Sequence, residues 1–144
     1  MDFTLALVIA TVAIALFFDY TNGFHDAANA IATSVSTRAL TPRLALSMAA
    51  VLNFVGALLG VEVAKTISEI ITGFDTIDSA NHALTIVVSA LVGAIVWNLI
   101  TWYFGIPSSS SHALIGGLVG AGLASGVTVD WDKLVEKVAI PMVV

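Results

Sequence analysis

The 144-residue sequence contains no cysteine, which excludes disulfides, thiolate metal centres and thiol nucleophiles together. Charge is scarce as well. Only 10% of the residues are charged, and five Lys and Arg stand against ten Asp and Glu for a formal net charge of −5. No basic run occurs, so nucleic-acid binding has no electrostatic footprint. Met1-Asp2-Phe3 lacks the bases of a secretory signal, and the apolar run after it reads as a retained span. Two catalytic patterns fail on spacing. "GGLVGAG" (116–122) lacks the Lys-Ser/Thr of a phosphate-binding loop. Ser111 and His112 are neighbours, which on a helix point about 100° apart and do not face each other as a hydrolase pair must. No enzyme is expected.

What the sequence has is apolar length. Hydrophobic residues make up 58% of the chain and the mean hydropathy is +1.01, far from the soluble average. An all-α integral membrane protein in a lipid bilayer is predicted. Crossing the hydrocarbon takes about 20 apolar helical residues. A first span is expected over 3–35, a second over 44–64 and a third over 83–104. The segment 106–126 is too interrupted by Pro107 and its serines to cross, so a re-entrant hairpin that enters and leaves on one side is expected. An amphipathic surface helix over 130–138 and the start of a further span over 138–144 follow. A chain ending inside the apolar run "VAIPMVV" reads as part of something larger.

The first span poses a problem. Phe3 to Phe18 carries no ionisable side chain, yet "DYTNGFHDAANA" (19–30) follows at once with two Asp, two Asn and a His. Ionisable groups in a membrane are expensive and mark function. A helix from 3 to 35 would be about 50 Å long, more than an ordinary bilayer takes without tilt. A break at Asn22-Gly23 is therefore expected, because Gly costs about 1 kcal/mol in a helix interior and Asn favours non-helical backbone. Asp19, Asn22, Asp26, Asn29 and Thr33 recur every three or four residues and form one stripe. The opposite surface, with Phe24, Ala27, Ala28 and Ala32, would pack against neighbouring helices. The stripe offers oxygen ligands to a cation such as Na⁺ or Mg²⁺, or Asp26 beside His25 loads and releases a proton.

Bases place the loops. Arg38 and Arg43 in "STRALTPR" (36–43), with Lys133 and Lys137, are assigned to the cytoplasmic side by the positive-inside rule, which puts the amino terminus outside. The acidic loop with Glu69, Asp75 and Asp78 then lies outside. Trp97, Trp102 and Tyr103 read as an interfacial aromatic belt.

In "PSSSSHALIGG" (107–117), four hydroxyls stand at what should be a helix start, where unpaired N–H groups and partial positive charge favour an anion. Ser110 or Ser111 as an N-cap is the competing reading for a single serine. Gly116 and Gly120 form a small-xxx-small pair for close helix packing. An oxygen-rich stripe for a cation or proton and a hydroxyl-rich helix start for an anion, both on broken intramembrane elements, are the pattern of a secondary transporter.

These residues resemble the inorganic phosphate transporter (PiT) family. "GFHDAANA" (23–30) matches its G-x-x-D-x-A-N-A stretch and "PSSSSH" (107–112) its P-x-[ST]-[ST]-[ST]-H stretch. The similarity extends through "NFVGALLG" (53–60) and "WNLITWYFGIP" (97–107). The resemblance implies symport of inorganic phosphate through two inverted repeats, of which this chain resembles the amino-terminal one. It places the phosphate at Ser109, Ser110 and Ser111, with Ser108 beside them, and gives Asp26 and Asn29 to the coupling ion or proton. Asn22 and Asp19 from the stripe, and His25 beside Asp26, are further candidates. "GFHD" and Asn53 lean toward the bacterial low-affinity branch, where a proton is favoured over Na⁺ and phosphate can travel as a neutral complex with a metal such as Mg²⁺. No bound cofactor is expected. The expected partners are a carboxy-terminal repeat or a second inverted copy, and further copies of the whole in a homo-oligomer of the cytoplasmic membrane. A non-transporting membrane scaffold or assembly subunit built on the same half-fold is the alternative.

Overall fold

The computed structural model describes residues 2–59 and 79–143, and every regular element over them is helical. The elements are α1 (Phe3–Ser36), α2 (Pro42–Leu59), α3 (Ala80–Tyr103) and α4 (Ser110–Ser125). A last helical run, α5, consists of Trp131–Leu134, a π-helical turn Val135–Ala139 and Ile140–Val143. α1, α2 and α3 are each long and apolar enough to cross a membrane, and the chain is a multi-pass membrane protein. The expected end of the second span at residue 64 and the acidic loop with Glu69, Asp75 and Asp78 lie outside the described residues.

α1 corrects the expected break. It runs unbroken for 34 residues, through Asn22 and Gly23, and so spans about 51 Å. Helical glycine costs only about 1 kcal/mol, whereas each backbone group freed by a break in an apolar medium costs several. Continuity is the cheaper solution.

α1 and α3 lie side by side and parallel. Phe18 packs with Leu91, Ala94 and Ile95, and further along both helices the Phe24 ring meets Trp102 edge-on at 5.5 Å. The expected packing surface of α1 is only partly right. Phe24 is packed, but Ala28 and Ala32 are exposed, and the buried residues are Phe18, Thr21 and His25.

The hairpin also differs from expectation. Trp97 reaches Ser108 ahead of α4, Ala90 meets Gly117, and Ile86 packs with Val127 beyond its end. α4 therefore runs antiparallel to α3 and returns to the level where α3 begins. The first limb of the hairpin is α3 itself, and residues 104–109 are its tip. Gly105, at φ 65°, takes the left-handed conformation that turns the chain there.

A consequence follows for the bases. Arg38 and Arg43 flank the α1–α2 turn, at the end toward which α3 runs, whereas α5 with Lys133 and Lys137 starts at the opposite end. The surface helix expected over 130–138 and the span expected from 138 are joined in one helical run through the π turn.

Glycine makes the α3–α4 contact possible, at a position other than the expected one. A Cβ on Gly117 would stand 2.5 Å from the Ala90 carbonyl oxygen, while Gly116 and Gly120 have open space around theirs. The backbones of α3 and α4 touch at Gly117 because nothing else fits.

Candidate functional site

The two polar motifs meet. Ser110, at the first position of α4, is 3% exposed, and its hydroxyl donates to Asp26 Oδ2 at 3.5 Å across 84 residues of sequence. His25 is buried, and its Nδ1 lies 3.5 Å from the other carboxylate oxygen of Asp26. Asp26 thus stands between a buried imidazole and the start of α4, with its own side chain 49% exposed. Both contacts are long for hydrogen bonds, so neither uses up the carboxylate. Its remaining edge is open.

The four serines divide their work. Ser109 is the N-cap of α4, its Oγ accepting from the His112 N–H at 3.4 Å, so the cap falls one residue before the expected Ser110 or Ser111. Ser108 Oγ accepts from Trp97 Nε1 at 3.0 Å. That bond ties the tip of the hairpin to α3 and makes Trp97 part of the site's support as well as an exposed aromatic. Ser110 faces Asp26, and Ser111 is exposed. Beside the turn lies a groove of about 540 Å³ lined by Gly93, Trp97, Ser108, Ser109, His112 and Gly116, among others. Ser108 and Ser109 line this groove at the start of α4, where the first N–H groups of a helix favour an anion.

Of the expected coupling residues, the structure brings Asn22, His25 and Asp26 to the α1–α3–α4 junction. Asp19 and Asn29 are exposed, away from that junction. Two residues went unremarked in the sequence. Asn98 and Thr101 of α3 are 1% and 2% exposed, on the α3 stripe that faces α1. Thr101 is satisfied by its own helix, donating to the Trp97 and Asn98 carbonyls. The signal was available: Leu91, Ala94, Asn98 and Thr101 recur every three or four residues, and Asn98 interrupts an otherwise apolar span.

Comparisons with known proteins identify the chain's relatives. Residues 22–144 match the family model described as the phosphate transporter family. A Streptomyces halstedii protein named a probable low-affinity inorganic phosphate transporter is 61% identical over 96% of the chain. A Bacillus subtilis protein of the same name is 56% identical over 87% of the chain. The low-affinity inorganic phosphate transporter of Escherichia coli is 45% identical over 95%. The chain spans 63%, 37% and 28% of these relatives' lengths, respectively. No solved structure matches it.

Proposed function

Because the chain belongs to the phosphate transporter family, we propose that it supplies the amino-terminal repeat of a symporter that moves inorganic phosphate across the cytoplasmic membrane with a cation. The observation that carries this reading is the approach of Ser110 to Asp26. One residue belongs to an anion-favouring helix start and the other is a carboxylate suited to a cation. Their contact lets each ligand offset the charge of the other, which is how binding of one can depend on binding of the other.

In this reading phosphate is held by Ser109, Ser110 and Ser111 and the first N–H groups of α4, with Ser108 at the edge. Asp26 carries the coupling charge, supported by His25 and Asn22. A proton is favoured over Na⁺ because "GFHD" (23–26) and Asn53 resemble the bacterial low-affinity branch of the family. Phosphate can enter with Mg²⁺ as a neutral complex, and no bound cofactor is required. Asp19 and Asn29 face outward to an inverted second repeat, supplied by further chain or by another copy, and whole units associate as homo-oligomers. The Arg38–Arg43 turn lies inside the cell and the amino terminus outside.

Uptake of radiolabelled phosphate into proteoliposomes tests the reading. The chain combined with the remaining part of the Bacillus subtilis relative should accumulate phosphate under an imposed proton or sodium gradient, and the chain alone should not. A combined protein that folds yet takes up no phosphate under either gradient would favour the scaffold alternative.

A further inference from the structure

Asn98 is a misfit in its surroundings. Its neighbours along the buried stripe of α3 are Leu91, Ala94 and Ile95, and it is 1% exposed. Neither its Oδ1 nor its Nδ2 has a hydrogen-bond partner. On the facing helix, Asn22 Oδ1 is likewise buried and unpartnered. Phe18 packs with Ile95 and Phe24 with Trp102, so the parallel register sets Asn98 level with Thr21 and Asn22. A buried amide left unpaired costs about 1–3 kcal/mol per group, and a leucine would fill the position without that penalty. Nothing in the packing asks for an amide there.

The oxygens nearby define what would satisfy it. Asn22 and Asp26 are four residues apart on one face of α1, so their Cβ atoms stand about 6 Å apart. Thr21 does not compete, because its hydroxyl donates to the Phe18 carbonyl at 2.9 Å. The register thus sets two unpartnered amide oxygens, on Asn98 and Asn22, near one level, with the Asp26 carboxylate one turn further along α1. Asp26 is the one acidic group of the three, and the buried His25 imidazole, 3.5 Å from its carboxylate, is the titratable group that faces it. Hard oxygen ligands with one negative charge match a small monovalent cation better than a divalent one.

We infer that Asn98 is a ligand for the coupling cation, and that Asn98 Oδ1, Asn22 Oδ1 and the Asp26 carboxylate form its seat between α1 and α3. Na⁺ and a hydrated proton share this chemistry, since both are small cations held by oxygen. The inference rests on the symport reading and gives the cation a place: one helix layer behind the serine turn, reaching phosphate through Asp26.

The test uses the chain combined with the remaining part of the Bacillus subtilis relative, in lipid nanodiscs without phosphate, in choline buffer. Trp97 and Trp102 flank Asn98 and report binding by fluorescence, with ²²Na⁺ retention as a second readout. One arm titrates Na⁺ at fixed pH and the other lowers pH without Na⁺. The wild type should respond saturably in one arm. Asn98→Leu should raise the half-saturating cation concentration about tenfold or more in that arm, while its thermal midpoint holds or rises because an unpaired amide is gone. Asn98→Asp, which keeps an oxygen in place, should recover binding. If Asn98→Leu leaves cation affinity unchanged while Asp26→Asn weakens it, the inference falls and the symport reading stands; a trapped water between the two amides would give this outcome. If the wild type responds in neither arm, the inference and the cation-coupling reading fall together.

Discussion

The contact between α1 and α3 has two halves of opposite character. In one, Phe18 packs with Leu91, Ala94 and Ile95, and every group is apolar. In the other, Thr21, His25, Asn98 and Thr101 are as deeply buried, yet Asn98 has no partner for either polar atom. The stripe on α3 is continuous, so the same helix face serves both purposes. Packing holds the helices in register over the first half and thereby fixes the position of polar groups in the second. The apolar half is built for stability, and the polar half keeps a buried amide unpaired, the cost that the proposed cation seat offsets.

Substitutions can break this contrast. The largest effect is expected at Asp26. Asp26→Asn keeps the shape but removes the charge that both ligands depend on, and cation-driven phosphate uptake should fall about a hundredfold, as when one member of a charge pair is removed. In the apolar half, Leu91→Ala should cost about 2–3 kcal/mol through the cavity it leaves, read as a lower thermal midpoint in detergent. Uptake per folded molecule should change little. Asn98→Leu should do the reverse, holding the midpoint while changing cation dependence. Gly117→Val drives a side chain into the Ala90 carbonyl and should cost about 1–3 kcal/mol by overpacking, with the groove beside the serine turn distorted. Ser109→Ala removes the cap of α4 and should cost about 1 kcal/mol, seen as faster amide exchange at His112.

The smallest effect concerns Asp130, the N-cap of α5. The Lys133 N–H, donating at 3.1 Å, is the main influence holding its carboxyl below the ordinary value of 3.8, and the Lys133 charge adds to it. A carboxylate whose pKa is depressed by folding stabilises the fold above its unfolded pKa and loses that contribution as pH falls through the folded value. The Lys133 amide resonance should therefore hold steady down to about pH 4 and move only below it.

Much of this was legible in the residues. Apolar length marked three helices able to cross a membrane, and the polar stripe and the serines marked the two segments that meet at Asp26 and Ser110. Their contact was not legible, because nothing local in "GFHDAANA" or "PSSSSH" says which helix faces which; the α1–α3 register decides it. The unbroken α1 shows why local preference misled at Asn22-Gly23: a propensity penalty of about 1 kcal/mol is smaller than the cost of unpaired backbone in lipid. The end of the bundle at which Lys133 and Lys137 stand was not legible, because α4 runs back along α3 and starts α5 opposite the Arg38–Arg43 turn. Gly117 replaced Gly116 and Gly120 because small residues permit close approach on any face, and only packing selects one.

The central claim is that Asp26 and the serine turn form one site. A double-substitution cycle on equilibrium binding of radiolabelled phosphate tests it most directly, using Asp26→Asn, Ser110→Ala and both together in the chain combined with the remaining part of the Bacillus subtilis relative. The account predicts a coupling of about 1 kcal/mol or more, so the double variant binds little worse than the weaker single one. Effects that add to within about 0.3 kcal/mol would contradict it, since residues in separate sites behave in that way.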